Sequence, residues 1–65
     1  MKISTVVDRV RAEFDEMPGM RLTVPQASRL FGLDEALCRT VVEELISAEY
    51  LRRLEGGAVT KAVRS

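Results

Sequence analysis

The sequence predicts one mainly α-helical domain with a small β-hairpin at its C-terminal end. Three observations favour this fold class over the 65 residues. Apolar residues recur at three- and four-residue spacing in three segments, as on one face of a helix. Capping residues, proline and glycine separate those segments. The last segment instead alternates apolar and polar residues around two adjacent glycines. The predicted order is helix, short strand, helix, helix and two strands, in a single domain over residues 1–65.

The first helix is predicted over residues 4–17. Its apolar residues are spaced to share one face of the helix, and charged residues lie between them in the sequence. These apolar residues are Val6, Val7, Val10, Phe14 and Met17. Ser4 or Thr5 is expected to cap its start, because a hydroxyl accepts a hydrogen bond from a free backbone N–H there. Pro18 and Gly19 end it, since proline disfavours the α conformation in the preceding residue. The next residues, "MRLTV", are too few for a helix and predict a brief strand or extended linker.

The second helix is predicted over residues 24–31. The stretch "TVPQ" has the form of a capping box, in which Thr23 and Gln26 each accept a hydrogen bond from the other's backbone N–H. Pro25 lies in the first turn, where its missing N–H costs nothing. The predicted apolar stripe consists of Ala27, Leu30 and Phe31. Gly32 is expected to end the helix in a left-handed conformation.

The third helix is predicted over residues 35–48, with Asp34 as its cap and Glu35 in a first turn that favours negative charge. Two adjacent rows form a broad face expected to be buried: Leu37, Val41 and Leu45, then Cys38, Val42 and Ile46. The outward positions carry a net charge of −2 and are Glu35, Ala36, Arg39, Thr40, Glu43, Glu44 and Ser47.

A β-hairpin is predicted over residues 50–63. "EYLRRL" has strand character, "EGGA" supplies the turn, and "AVTKAV" alternates, with Val59 and Val63 expected on the covered side. Arg52 and Arg53 would lie on opposite faces of the first strand, because successive side chains in a strand alternate.

Composition indicates a folded, cytoplasmic protein. The chain is 46% hydrophobic and 31% charged, which is typical of a globular domain, and no apolar run reaches the roughly 20 residues of a membrane span. "MKISTVVDRV" lacks the uninterrupted apolar region of a secretion signal. Cys38 is the only cysteine, so an internal disulfide is excluded and a reducing compartment is expected.

The sequence gives little basis for an enzyme. It contains no histidine and no second cysteine, so Cys38 has no imidazole to activate it and no partner for zinc or redox chemistry. We therefore interpret Cys38 as a small buried hydrophobic residue. The Gly56 and Gly57 pair is better explained as a hairpin turn than as a phosphate-binding loop. We expect no catalysis, cofactor, metal or small-molecule substrate, and no membrane association.

Charge is unevenly distributed although the net charge is zero. Residues 1–20, 21–33, 34–50 and 51–65 carry −1, +2, −4 and +3 respectively. A basic end of this kind is suited to contact phosphate groups, whereas the acidic third segment is suited to a basic partner.

The stretch "TVPQASRLFGLDEALCRTVVEELISAEYLRRLEGGAVTK", residues 23–61, resembles the winged helix-turn-helix superfamily, in particular small prokaryotic DNA-binding domains. The resemblance rests on the joint spacing of Ala27, Gly32, Leu33, Leu45 and Leu51. It implies a three-helix winged helix-turn-helix fold. One departure is "AEY" at residues 48–50, because Glu49 stands where such domains usually have glycine.

The resemblance implies a transcription-regulatory protein that binds double-stranded DNA, with helix 35–48 in the major groove and the hairpin on the backbone. The start of the second helix would contact a phosphate. The implied DNA-binding residues are Arg21, Thr23, Gln26, Arg29, Glu35, Arg39, Thr40, Arg52, Arg53, Gly57 and Lys61. Glu43 and Glu44 would lie further back on the helix, behind the groove-facing residues.

The acidic third helix keeps a second hypothesis open. A winged helix can also serve as a protein-interaction module or homodimeric adaptor without DNA affinity. In that case the contact residues would be Glu43 and Glu44, for a basic partner, and Tyr50, for a homodimer.

Overall fold

The computed structural model describes residues 2–62, which form three helices and a three-stranded antiparallel sheet. The elements are α1 (Ile3–Glu16), β1 (Arg21–Leu22), α2 (Val24–Phe31), α3 (Glu35–Ser47), β2 (Leu51–Arg53) and β3 (Val59–Lys61). The predicted fold class, mainly α with a small β-hairpin in the winged helix-turn-helix order, is confirmed. The predicted Val63 and the end of the 50–63 hairpin lie outside the described residues.

The sheet has the strand order β1-β3-β2, so the brief segment before α2 is a strand and not a linker. Its register places Arg21 opposite Thr60 and Thr60 opposite Arg52. The neighbouring row joins Leu22, Val59 and Arg53 in the same way. Because directly opposed residues share a face, these two rows lie on opposite faces of the sheet.

The core lies between the three helices and one face of the sheet. It is formed by the apolar residues Val6, Val10, Phe14, Ala27, Phe31, Cys38, Val41, Val42, Leu45, Leu51 and Val59. The rings of Phe14 and Phe31 join α1 to α2, with centroids 6.5 Å apart. Thr60 is buried as well, and its hydroxyl donates to the Met20 carbonyl oxygen at 2.8 Å, which ties β3 to the segment before β1.

The first helix differs from the prediction at both ends. It begins at Ile3, and Lys2 is its N-cap with no side-chain hydrogen bond, so the expected cap by Ser4 or Thr5 is wrong. The Lys2 carbonyl already accepts from the Thr5 amide, which places both hydroxyl residues inside the first turn. Met17 is outside the helix and 51% exposed. Its backbone leaves the α region because Pro18 follows.

The buried stripe of α2 is narrower than predicted. Ala27 and Phe31 are buried, whereas Leu30 is 57% exposed. At 100° per residue, Leu30 is rotated well away from Phe31 on this two-turn helix. On α1, Val7 was likewise predicted on the apolar face, and it is only half-buried.

The buried face of α3 is likewise narrower, and the helix ends at Ser47 rather than at residue 48. Its fully buried residues are Cys38, Val41, Val42 and Leu45. Leu37 and Ile46 are only partly buried. A spacing of 100° per residue puts these two at opposite margins of the face, so they meet both core and solvent.

Helices α2 and α3 end in the same motif with different residues. Gly32 follows α2 with φ +67°, and Leu33 donates to the Ser28 carbonyl, as in a Schellman motif. Glu49 occupies the corresponding left-handed position after α3, with φ +64°. Its amide donates to the Ile46 carbonyl and the Tyr50 amide to the Leu45 carbonyl, both at 2.9 Å.

Candidate nucleic-acid interface

The first turn of α2 is closed by the predicted capping box. The Gln26 side chain accepts from the Thr23 amide at 2.9 Å, and the Thr23 hydroxyl accepts from the Gln26 amide at 3.3 Å. Pro25 has no N–H. The amide of Val24 is therefore the remaining candidate donor to a phosphate in this turn, supported by the positive end of the helix dipole.

The N-terminal half of α3 presents an exposed row of side chains. Asp34 caps the helix as predicted, because its carboxylate accepts from the Ala36 amide at 3.0 Å and the Leu37 amide at 3.4 Å. Arg39 lies 3.7 Å from the Glu35 carboxylate one turn earlier, and both side chains are more than half exposed. An ion pair of this kind on a helix surface contributes little to stability, so Arg39 and Glu35 can each exchange the other for a different partner.

A cleft joins α3 to the β2–β3 hairpin and to the start of α2. This α3–hairpin cleft has a volume of about 460 Å³. Its lining residues are Thr23, Val24, Pro25, Arg39, Glu43, Arg53, Gly57 and Val59. Four of the residues that the resemblance implies for DNA binding therefore lie together. They are Thr23 at the start of α2, Arg39 on α3, Arg53 on β2 and Gly57 in the turn.

An ion pair spans the cleft. The Arg53 guanidinium on β2 donates to the Glu43 carboxylate on α3, and their side chains are 54% and 56% exposed. Glu43 therefore lines the cleft beside the arginines, although the sequence placed it behind them with Glu44. Glu44 is exposed and is not among the cleft residues. With Arg39, the charged side chains of the cleft sum to +1.

The hairpin turn borders this cleft. Leu54 donates to the Ala58 carbonyl at 2.7 Å, and Gly57 donates to the Leu54 carbonyl at 3.2 Å. Gly56 has φ +88°, which the third position of a type II turn requires. The turn geometry itself accounts for glycine here, and it also keeps the rim next to Arg53 free of side-chain bulk.

Lys61 lies away from this cleft. It is opposite Leu51, at the end of the hairpin remote from the turn, and its ammonium group is 2.9 Å from the Asp15 carboxylate of α1. Tyr50 also faces α1, because the Arg11 guanidinium lies 4.8 Å from its ring centroid. Tyr50 and Lys61 line a second depression with Ala48, Glu49 and Ala62.

Arg21 and Arg52 lie on the sheet face opposite the core, on either side of Thr60. Within residues 2–62 neither arginine has an acidic partner, and the same holds for the exposed Arg29 of α2. The prediction that Arg52 and Arg53 point to opposite faces is consistent with the register. The predicted basic residues are thus divided between the cleft, the outer sheet face, α2 and the α1 side.

Cys38 is buried in the core with no exposed surface. Burial raises the pKa of its thiol above the ordinary value of 9.0, and the nearby Glu35 charge raises it further. The thiol donates weakly to the Val24 carbonyl at 3.8 Å. A neutral, enclosed thiol of this kind acts as a packing residue.

Sequence reasoning missed several residues of these sites, among them Val24, Val59 and Asp15. Val24 and Val59 had been considered only as helix-start and core positions, yet both also line the cleft. Asp15 gave no signal at all, since its partner Lys61 is 46 positions away in the chain. Alternation along β3 placed Val59 on the covered side, but nothing local indicated which helix that side would meet.

The element order and sheet define the class of this domain as a winged helix-turn-helix fold. Comparison with protein-family models, curated proteins and solved structures yields no match for the chain. Among the described residues, no helix is long and apolar enough to cross a membrane, and no group of side chains is suited to hold a metal ion.

Proposed function

We propose that this protein is a small DNA-binding winged-helix protein with a regulatory role in transcription. The observation that carries the proposal is the α3–hairpin cleft, which gathers Arg39, Arg53 and the first turn of α2 on one side of the molecule. The lone buried thiol suits a reducing cytoplasm, which is where we place the protein.

The N-terminal half of α3 supplies the base contacts in this proposal. In helix-turn-helix docking that part of the helix enters the major groove. Arg39 is suited to donate to O6 and N7 of guanine, and Glu35 is suited to accept from N4 of cytosine. Their 3.7 Å separation keeps both groups at the same helix turn, so they would read neighbouring bases.

The backbone contacts come from the borders of the cleft. The Val24 amide and the dipole of α2 favour one phosphate, and Arg53 favours a second next to the hairpin turn. Arg21 and Arg52 can contact a DNA strand that passes along the outer face of the protein sheet. Neutralising about four phosphates would lower affinity by about two decades between about 50 and about 200 mM salt.

A protein-interaction module or homodimeric adaptor is the second candidate. One observation favours it: both cleft arginines already have glutamate partners, and the exposed Glu44 adds further negative charge on α3. A basic protein surface would suit that helix. Tyr50, 42% exposed, remains the contact residue for a homodimer.

Fluorescence anisotropy with labelled duplexes of several sequences tests the proposal. We expect Arg39→Ala to relax the choice among sequences and Arg52→Gln to weaken all duplexes alike. Arg9→Gln, an exposed change on α1, is the matched control for net charge and should leave sequence preference unchanged. If neither wild type nor variants bind at about 50 mM salt, where phosphate contacts are strong, DNA binding is refuted. Binding of a basic protein that depends on Glu44 would then favour the adaptor.

A further inference from the structure

We propose that Glu43 occupies, within the protein itself, the place that a DNA phosphate takes on Arg53. In the free protein its carboxylate holds the guanidinium across the α3–hairpin cleft. On binding, a phosphate replaces the carboxylate, so Glu43 sets both the affinity and the salt dependence. This inference rests on the proposed DNA-binding function.

The chemistry of the pair supports an exchange. Carboxylate and phosphate oxygens present similar acceptors to the planar fork of a guanidinium. Both partners are more than half exposed, at 54% for Arg53 and 56% for Glu43, so an incoming anion can reach them. An exposed ion pair is weak enough to be given up.

The register of the sheet leaves Arg53 few alternatives. Arg53 is opposite Val59, which is buried, and it shares the core-facing side with Leu51. Its side chain therefore extends from the edge of that side toward α3 and not onto the outer face, where Arg52 lies. Next to the turn, the Arg53 guanidinium can pair either with Glu43 or with a ligand in the cleft.

Glu43 differs from the other glutamates of α3. The Glu35 pair with Arg39 stays within one helix at 3.7 Å. The Glu44 side chain makes no hydrogen bond or ion pair with residues 2–62, and Glu44 does not line the cleft. Glu43 alone among them joins α3 to the hairpin, the two elements that a duplex would contact together.

Two measurable effects follow from this exchange. Glu43→Gln removes the competing carboxylate and leaves Arg53 available, so affinity should rise by roughly two- to five-fold over that of a variant with the same net charge. In wild type the displaced Glu43 carboxylate offsets the charge that Arg53 brings to the phosphate. Without that carboxylate the full charge of Arg53 counts, which steepens the slope of log affinity against log salt by up to about 0.9. Glu44→Gln is the control, because it changes the same charge one residue away without releasing an arginine.

The experiment measures the anisotropy of one labelled mixed-sequence duplex with wild type, E43Q, E44Q, R53Q and the double variant E43Q/R53Q. Salt is varied from about 50 to about 200 mM. Circular dichroism melting of each variant verifies that the fold is retained, as expected for exposed positions. We expect E43Q to bind more tightly and with a steeper salt slope than E44Q, and this advantage to vanish in the R53Q background.

Other outcomes overturn the inference in distinguishable ways. Equal affinities for E43Q and E44Q, with wild type binding, would refute the role of Glu43 but keep DNA binding. An advantage of E43Q that persists without Arg53 would show that simple charge repulsion is responsible. Absence of binding by every protein at the lowest salt would refute the proposed function and, with it, this inference.

Discussion

Substitution of Glu49 tests the backbone geometry that directs the chain from α3 into the hairpin. Glu49 has φ +64°, and the amides of Glu49 and Tyr50 close the C-terminal turn of α3. After α2, glycine holds the equivalent position with φ +67°. A side chain with a Cβ atom is strained in this conformation, so the exit of α3 is formed at a cost that the exit of α2 avoids.

The magnitude follows from a comparison of Glu49→Gly with Glu49→Ala. Both changes remove the carboxylate, and they differ only in the Cβ atom. Left-handed backbone costs a non-glycine residue about 1–2 kcal/mol, while the greater freedom of glycine in the unfolded chain returns about 0.4–1 kcal/mol of that difference. We therefore expect the glycine variant to be more stable than the alanine variant by about 0.5–1 kcal/mol.

Thermal unfolding followed by circular dichroism is the assay. For a domain of this size that difference corresponds to a melting temperature higher by roughly 2–8 °C. An alanine variant as stable as the glycine variant would refute the left-handed exit at this position.

Two further predictions concern the cap of α2 and the buried thiol. Thr23→Ala removes the hydroxyl that accepts from the Gln26 amide, so it should lower stability by about 0.5–2 kcal/mol in denaturant titration, and Thr23→Ser should restore most of the loss. Cys38 should react with a thiol reagent only at the rate at which local or global unfolding exposes its side chain. Because its pKa is raised in the folded state, the thiol is neutral in both states below the ordinary value of 9.0, and above it only the unfolded chain loses the proton. Stability should therefore fall more steeply above that pH in wild type than in Cys38→Ala, and equal slopes would contradict the buried, neutral thiol.

The parts of this fold that sequence predicts are those with local causes. The capping box at Thr23, the Asp34 cap and the Gly32 stop each depend on residues within five positions of one another. The start of α1 at Ile3 was missed because a hydroxyl is a common cap but not a required one. The exposure of Leu30 follows from which side of a two-turn helix meets the core, and that is a tertiary property.

The candidate site was only partly predictable for the same reason. Charge and motif spacing indicated Arg39 and Arg53, but their partners depend on how α3 packs against the hairpin. The Glu43 pair joins residues ten positions apart through the sheet register, and the Lys61 pair joins β3 to Asp15 on α1. Such pairings arise only once the core has set the distances between elements.

An amide-resolved NMR titration of the labelled protein with a mixed-sequence duplex, at low and near-physiological salt, tests the central claim most directly. The account predicts shifts concentrated on residues 23–26, 35–43 and 52–59, fading as salt rises, with little change around the Asp15 and Lys61 pair. Shifts absent at low salt, or confined to the α1 side and residues 48–50, would contradict it and direct attention to a protein partner.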